Sequence, residues 1–284
     1  NRRVLKLSNI RHLVLDEADE MLTMGFKDDL DTILSETPRE KQTMLFSATM
    51  PKAISSIAKK YMHEPQEISS GKRNEGAKNV THYFCEVQNK HRYAALKRLA
   101  DSSPEIYGII FCRTRRETKE VADKFIKDGY SADALHGDLS QAQRDTVMGR
   151  FRNKHLQLLV ATDVAARGLD VNDLTHVINY NSPDDVEVYT HRSGRTGRAG
   201  KTGESIVIIT PREFNRIRAI ERIINKKFEK KTIPTGKEIC QKQLFKLIDK
   251  IENIDVNEDS IAEFLPIINE KLESMTREDL LKRF

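Results

Sequence analysis

Apolar residues along this chain alternate between short continuous runs and stripes with helical spacing. The runs predict strands, because short apolar runs bounded by polar residues are typical of strands buried on both faces. The predicted strands cover residues 10–15, 43–46, 108–111, 156–160, 176–178 and 205–209. Stripes between them predict amphipathic helices, for example over 118–127, where Val121, Ala122 and Phe125 share one face. Strands joined by single helices indicate a parallel α/β fold with helices on both faces of the sheet.

The chain divides into regions at one change of composition and one change of periodicity. Residues 69–79 are rich in Ser, Gly, Lys and Asn without apolar periodicity, which is typical of a flexible connector. We therefore predict a first α/β region over 1–70, a linker over 71–79 and a second α/β region over 80–212. After Pro211 the pattern becomes helical, so residues 213–284 are predicted to form an all-helical extension.

Composition excludes several classes of protein. The chain has 284 residues and three cysteines without a close pair, which argues against a disulfide framework or a cysteine-based zinc site. No apolar run approaches the ~18 residues needed to cross a bilayer, and no signal-peptide pattern opens the chain. We expect a cytoplasmic protein without a membrane partner. The net charge of +5 is too small to identify a nucleic-acid-binding protein by itself.

Two polar segments are candidates for phosphate chemistry. Asp16-Glu17-Ala18-Asp19 follows a predicted strand, where Asp16 could hold hydrated Mg²⁺ and Glu17 could polarise an attacking water. The alternative is the solvated start of a helix. Arg195 and Arg198 are separated by Gly197, an arrangement suited to a polyphosphate because guanidinium groups match phosphate oxygens. Its alternative is an arginine-rich surface loop.

These segments belong to a set of six motifs in a fixed order. The set comprises Asp-Glu-Ala-Asp at 16–19, Ser-Ala-Thr at 47–49, Ile-Ile-Phe-Cys-Arg-Thr at 109–114, His-Gly-Asp at 136–138, Ala-Thr-Asp-Val-Ala-Ala-Arg-Gly-Leu-Asp at 161–170, and His-Arg-Ser-Gly-Arg-Thr-Gly-Arg at 191–198. Over residues 5–230 the chain resembles the DEAD-box RNA helicases of superfamily 2, particularly the bacterial cold-shock and ribosome-associated type. The resemblance implies two RecA-like lobes, ATP and Mg²⁺ as cofactors, and ATP-driven separation of RNA strands.

The resemblance also implies a role for each matching residue. Asp16 and Glu17 would serve the metal and the water, and Arg195 and Arg198 would reach the γ-phosphate, with Arg198 as the arginine finger. Gly168 and Asp170 would meet the ribose of the nucleotide. Contacts that couple the lobes would come from Asp19, Ser47, Thr49, Arg167 and His191. Contacts to the RNA backbone, independent of base sequence, would come from Arg113, Thr114, Gly137, Gln141, Arg144, Thr162 and Asp163.

The chain departs from the family pattern in one respect. Gly-x-x-x-x-Gly-Lys-Ser/Thr, the motif that cradles phosphates, does not occur in it. Since this motif precedes the acidic tetrad in the family, we expect a truncated first lobe, and we expect these 284 residues alone not to hydrolyse ATP. The rival interpretation is a non-catalytic RNA-binding or assembly module. A DNA translocase is disfavoured by the acidic tetrad and by Ser-Ala-Thr.

The helical extension allows further interpretations. Residues 212–231 hold eight Lys or Arg against three Glu, so they could extend the RNA track or form the solvated side of a packed helix. We expect packing with a modest RNA contribution. A second stripe, from Cys240 to Ile251, is either an ordinary helical core or a face for homodimerisation. Ribosomal RNA or structured mRNA are the substrates that the resemblance implies.

Overall fold

A small parallel sheet forms the first region of the protein. The computed structural model describes residues 6–23, 25–47, 50, 52–69, 79–166, 169, 171, 173–198 and 200–283. Strands β1 (His12–Leu15) and β2 (Gln42–Leu45) pair in parallel. They are accompanied by helices α1 (Ala18–Thr23), α2 (Lys27–Ser35) and α3 (Lys52–Tyr61). Leu15 of β1 packs with Leu30 and Leu34 of α2 and with Ile54 and Ile57 of α3 in one buried cluster.

A seven-stranded parallel sheet forms the second region. Its strands are β3 (Val80–Glu86), β4 (Gly108–Phe111), β5 (Ala132–Leu135), β6 (Leu158–Ala161), β7 (His176–Asn179), β8 (Gly203–Ile209) and β9 (Glu229–Lys230). They lie in the order β5-β6-β4-β7-β8-β3-β9, and every pair is parallel. The predicted linker, 71–79, lies outside the described residues except for Asn79.

Helices cover both faces of this sheet. On one face lie α4 (Arg92–Asp101) and α5 (Arg115–Lys127), and on the other lie α6 (Gln141–Arg152), α7 (Asp163–Ala166), α8 (Val186–Ser193) and α9 (Phe214–Ile224). Ile110 joins the cluster under α5, whereas Ile109 and Phe111 join the cluster under α6, as the two-residue period of a strand requires. The predicted α/β fold with helices on both faces is confirmed, and burial on both faces explains why the strands are nearly all apolar.

The carboxyl-terminal helices form a separate compact unit. Contacts divide the chain into 1–234 and 235–284. The second unit holds α10 (Gly236–Glu252), α11 (Glu258–Ile261), α12 (Leu265–Leu272) and α13 (Arg277–Arg283). Thr235 starts α10 with a capping box, in which its side chain accepts from Glu238 N and the Glu238 side chain accepts from Thr235 N. None of the described helices is long and apolar enough to cross a membrane.

The structure differs from the predicted elements in three places. Strands β3 and β5 were not among the predicted strands, because their sequences contain polar residues such as His82 and Asp133. The extension was predicted to begin at residue 213, whereas 213–234 pack with the seven-stranded sheet. Ile217, Ile220 and Ile224 of α9 are buried against β8, and β9 pairs with β3, so the separate unit begins at Thr235.

Candidate functional site

A tight turn at the end of β1 presents two carboxylates. The turn is held by Phe46 N donating to Leu15 O at 2.7 Å and by Ala18 N donating to Phe46 O at 3.1 Å. Glu17 has a φ of 49°, in the left-handed region, and its backbone N donates to Asp16 Oδ1 at 2.9 Å. This contact gives the Glu17 backbone a local hydrogen bond in a conformation that is uncommon for a residue other than glycine. Asp16 is exposed and Glu17 is partly exposed.

The first region meets the second through a carboxylate and an imidazole. Asp19 lies on α1 and is only 4% exposed, and its Oδ2 is 3.2 Å from His191 Nε2 on α8. A buried carboxylate requires a polar partner because its desolvation is costly. The contact therefore links the helix after β1 to α8, the helix in which the arginine-rich segment, residues 191–198, begins.

A second contact joins the residues beside these two helices, Glu17 just before α1 and Arg195 just after α8. Arg195 Nη2 lies 3.9 Å from Glu17 Oε1, and Arg195 Nη1 donates to Leu169 O at 3.1 Å. The side chain is 10% exposed, so one guanidinium edge is fixed by the protein while the other faces Glu17. Arg198, in contrast, is exposed, and its Nε donates to Gly194 O at 2.7 Å. The two arginines predicted to act together therefore have different surroundings.

Arg192 was not among the predicted site residues, although its guanidinium is held by several hydrogen bonds. Its Nε and Nη2 donate to the two oxygens of Asp163 at 2.5 and 2.6 Å, and its Nη1 donates to Asn179 Oδ1 at 2.8 Å. The guanidinium also lies 5.0 Å from the centroid of the Phe111 ring. The signal available in the sequence was helical spacing, because Arg192 falls three residues after the aromatic Tyr189 and so shares its face of α8.

Tyr189 anchors α8 to the sheet through a buried hydrogen-bond chain. Its hydroxyl donates to Ser205 Oγ at 3.0 Å and lies 2.5 Å from His82 Nδ1. The other ring nitrogen of His82 is Nε2. That atom is buried and has no partner among the described residues. Burial, with a smaller effect of Lys226, lowers the pKa of His82 from 6.5 to about 4, and burial raises the pKa of Tyr189.

The predicted RNA-binding residues gather at one edge of the second sheet. β5, β6 and β4 are neighbours, and the carboxyl ends of parallel strands meet at the same edge. The residues in question follow these three strands or begin the helices after them: Arg113, Thr114, Gly137, Gln141, Arg144, Thr162 and Asp163. The structure thus brings together residues that are distributed over 51 positions, from 113 to 163.

Local hydrogen bonds position several of these side chains. Thr114 caps α5 by accepting from Glu117 N at 3.2 Å, and Gln141 Nε2 donates to Asp145 at 2.8 Å. Arg144 Nη2 donates to Ala165 O at 3.3 Å, and Arg113 Nη2 donates to Ser182 O at 3.3 Å. Asp163 differs from the others, because both of its oxygens accept from Arg192, so its carboxylate mainly orients α8.

The remaining predicted residues are partly outside the described structure. Thr49, Arg167, Gly168 and Asp170 are not described. Ser47 is partly buried and lies two residues after the end of β2. Within the described ranges, no three His, Cys, Asp or Glu side chains are grouped so that they could hold a metal by themselves. Near the strand ends, Cys112 is no candidate nucleophile, because burial raises the pKa of its thiol.

Three protein families match successive parts of the chain. Residues 1–57 match the DEAD/DEAH box helicase family, residues 91–200 match the helicase conserved C-terminal domain, and residues 239–284 match the helical domain of a probable ATP-dependent RNA helicase. The three matches follow the same order as the two sheets and the helical unit.

Curated relatives match nearly the whole chain. The chain is 43% identical over 280 residues to the ATP-dependent RNA helicase CshA of Listeria monocytogenes, covering 99% of this chain and 54% of the relative. It is 45% identical over 254 residues to the DEAD-box ATP-dependent RNA helicase CshA of Geobacillus kaustophilus, covering 89% of this chain and 54% of the relative. The chain therefore spans about half the length of these relatives.

Solved structures share the fold. Dbp5 of S. cerevisiae bound to RNA and ADP BeF3 is 29% identical, with a TM-score of 0.76 over 87% of this chain and 65% of that chain. A DEAD box protein from Methanococcus jannaschii is 47% identical, with a TM-score of 0.53 over 81% of this chain and 62% of that chain. With the parallel topology, these similarities confirm the predicted RecA-like fold class.

Proposed function

Because the chain belongs to the DEAD-box helicase family, we propose that it supplies the interlobe contacts and the second-lobe RNA surface of an ATP-dependent RNA helicase. One observation carries the proposal. The acidic end of β1 and the arginine-rich segment after α8 face each other, with Glu17 Oε1 3.9 Å from Arg195 Nη2 and Asp19 Oδ2 3.2 Å from His191 Nε2. A triphosphate held between carboxylates and guanidinium groups requires this opposition of charges.

The carboxylates after β1 fit the metal and water roles. Mg²⁺ bound with a nucleotide takes only about one or two protein carboxylates and retains several waters, so exposed Asp16 suffices as a protein ligand without a larger acidic cluster. When bound, Mg²⁺ would neutralise charge on the phosphate oxygens. The turn conformation of Glu17 directs its carboxylate toward Arg195, where it can orient a water against the phosphate.

The two arginines take distinct roles in this proposal. Arg195 is fixed by Leu169 O and is positioned to contact phosphate with little rearrangement. Arg198 is exposed and can exchange its hydrogen bond to Gly194 O for the γ-phosphate as the lobes close, which keeps it as the arginine finger. Gly168 and Asp170 are proposed for the ribose. Ser47, Thr49 and Arg167 are proposed, with Asp19 and His191, to couple the lobes.

The strand-end surface of the second sheet is the proposed RNA site. Arg113, Gln141 and Arg144 offer side-chain donors, and Gly137 leaves the backbone open to close approach. Contacts of this kind reach phosphates and 2'-hydroxyls, so binding should be largely independent of base sequence. The structure of Dbp5, a protein of this fold that is bound to RNA and ADP BeF3, supports the proposal of RNA and a nucleotide as ligands. We propose ribosomal RNA or structured mRNA in the cytoplasm as substrates.

The proposal is tested by measuring RNA-dependent ATPase activity of two proteins. One is the 284-residue chain, and the other is the same chain extended by an upstream segment that carries Gly-x-x-x-x-Gly-Lys-Ser/Thr. We expect the 284-residue chain to be inactive and the extended protein to be active. In the extended protein, Arg195→Gln and Arg198→Gln should each lower turnover by about 10³ to 10⁵, as loss of an arginine finger does. The control, Arg116→Gln, removes a side chain that is 90% exposed on α5 and should leave turnover unchanged.

Two results would contradict the proposal. RNA-stimulated hydrolysis by the 284-residue chain would show that the missing motif is not required. Full activity of an extended protein that lacks the side chains of both Arg195 and Arg198 would contradict the proposed role of these arginines in hydrolysis.

A second function, self-association, is favoured by a specific observation in the helical unit. Leu244, Leu247, Ile248 and Ile251 on α10 are 43% to 52% exposed and recur with helical spacing. An exposed apolar face of this kind indicates a protein interface rather than an ordinary core. We propose that α10 forms a homodimer interface, which would act beside the helicase function.

A further inference from the structure

The outward face of α9 carries a row of cations. Arg218 and Arg222 are four residues apart and so lie on one side of the helix, and Lys226, which follows the end of α9 at Asn225, lines the same concavity as both of them. The opposite side holds Ile217 and Ile224, which are buried against the sheet. Packing therefore fixes the direction in which the cations point. We refer to Arg218, Arg222 and Lys226 as the α9 cationic face.

Carboxylates do not balance this face. In the described part of the chain, no acidic side chain pairs with Arg218, Arg222 or Lys226. The acidic residue of the helix, Glu221, is engaged elsewhere: its side chain is 17% exposed, its Oε1 accepts from Phe228 N at 2.9 Å, and its Oε2 lies 3.8 Å from Lys227 Nζ. Like charges four residues apart destabilise a helix, and the helix dipole offsets this only near the carboxyl end. A solvated helix surface normally mixes both signs of charge, which this face does not.

The cations surround a concave surface. An open concavity of about 500 Å³ is lined by Arg218, Glu221, Arg222, Asn225, Lys226 and Lys227. The guanidinium of Arg218 lies 5.0 Å from the centroid of the Phe214 ring, which limits its freedom. Asn225 ends α9 with a φ of 52° in the left-handed region. The lining is polar throughout and mostly basic.

We propose that the α9 cationic face binds the phosphate backbone of RNA, as a second contact outside the strand-end surface. The proposal rests on the proposed function, since it assumes that RNA is the ligand of this protein. Charge complementarity favours RNA over an acidic protein, because the concavity has no apolar residue of the kind that forms the centre of a protein interface. Phosphate contacts carry no base information, so this site would add affinity without sequence preference.

The test measures the affinity of the 284-residue chain for a labelled oligouridylate as a function of salt. The variant Arg218→Gln/Arg222→Gln/Lys226→Gln removes the face while keeping polar side chains. The control, Lys97→Gln/Lys124→Gln/Lys127→Gln, removes the same charge from α4 and α5, which lie on the face of the sheet opposite α9. A third variant, Arg113→Gln/Arg144→Gln, reports on the strand-end surface. Circular dichroism of each variant checks that the fold is retained.

We expect the α9 variant to bind RNA at least roughly tenfold more weakly near physiological salt. The slope of log affinity against log salt should become shallower by about two, from three contacts at about 0.7 each on a single strand. The control on α4 and α5 should change neither quantity by a comparable amount, because its lysines lie on the opposite face of the sheet from α9.

The other outcomes separate the two proposals. If the wild-type chain binds no RNA, the proposed RNA function and the α9 site both fail. If the Arg113/Arg144 variant weakens binding and the α9 variant matches its control, the α9 site alone is wrong. If RNA affinity is unchanged in the α9 variant but polyglutamate binding is lost, the face belongs to an acidic protein partner and the RNA assignment is overturned.

Discussion

Arg192 and Arg198 belong to one arginine-rich segment, yet their environments are opposite. Arg192 is 5% exposed and donates to both oxygens of Asp163, whereas Arg198 is exposed beyond the end of α8. The difference follows from helical geometry, because Arg192 lies on the buried side of α8 and Arg198 lies after the helix has ended. Only the first of them can contribute much to stability, since exposed charges interact weakly with the rest of the protein.

Replacing Arg192 by Lys should destabilise the second lobe. Lys keeps the charge but loses the planar fork that binds Asp163 through two donors, and it cannot also reach Asn179. We expect the free energy of unfolding in urea to fall by about 1.5 to 3 kcal/mol, the range for hydrogen bonds to charged groups. Arg198→Gln is the control and should stay within about 0.5 kcal/mol of wild type. Equal effects of the two substitutions would contradict the assigned role of Arg192.

His82 should make the stability of the second lobe depend on pH. Burial lowers its pKa in the folded protein to about 4, while the unfolded chain keeps a value near 6.5. Between these values the unfolded state binds a proton that the folded state does not, so stability falls as pH falls. We expect His82→Gln to abolish about 2 kcal/mol of the wild-type loss between about pH 7 and pH 5.

Urea unfolding of wild type and His82→Gln at both pH values measures this difference in the free energy of unfolding. Other titrating groups are present in both proteins, so their contribution cancels in the comparison. Parallel pH profiles for wild type and variant would show that His82 is not buried in its neutral form.

At the scale of elements, the start of β8 packs against the arginine-rich segment without room for a side chain. A Cβ at Gly203 would clash with the Thr196 side chain and lie 2.8 Å from Gly197 N. Gly197 itself has a φ of 67°, and a Cβ there would lie 2.6 Å from Val80 Cγ2 on β3. Glycine at these positions lets the segment that carries Arg195 lie directly on the sheet.

Gly149 and Gly203 should therefore respond oppositely to the same substitution. Gly149 lies inside α6 with no atom within 4 Å of an added Cβ, so Gly149→Ala should raise the free energy of unfolding by about 0.5 to 1 kcal/mol. Gly203→Ala should lower it by about 1 to 3 kcal/mol through overpacking. Thermal or urea unfolding measures both, and stabilisation by Gly203→Ala would contradict the close approach.

Among the elements, apolar strands and amphipathic helices were predictable, whereas mixed strands were not. β4 is buried along its whole length, and its sequence Gly-Ile-Ile-Phe is correspondingly apolar. β3 contains buried His82, whose Nδ1 is paired with the hydroxyl of Tyr189 from a distant part of the chain. No local pattern reveals such a partner. Local pattern also did not reveal that α9 packs on β8, and for this reason the separate helical unit begins at Thr235 rather than at the predicted residue 213.

At the scale of the whole molecule, the proposed homodimer has a direct test. The variant Leu247→Glu/Ile251→Glu places charge on the exposed apolar face of α10 and should shift light scattering from a dimeric to a monomeric mass. The control, Lys242→Glu, changes the net charge equally on the other side of the helix and should leave the dimer intact. A monomeric mass for the wild-type protein at high concentration would contradict the proposal.

The sequence by itself determined the alternation of apolar strands with amphipathic helices, the residue types of the motifs and the family resemblance, because these depend on local periodicity and on the identity of neighbouring residues. Tertiary structure decided which side chains meet. It brought Glu17 to Arg195 and Asp19 to His191, and it buried Arg192 while leaving Arg198 exposed. Pairings between distant segments depend on how helices pack on the sheet, and the spacing of residues along the chain does not specify which partners meet.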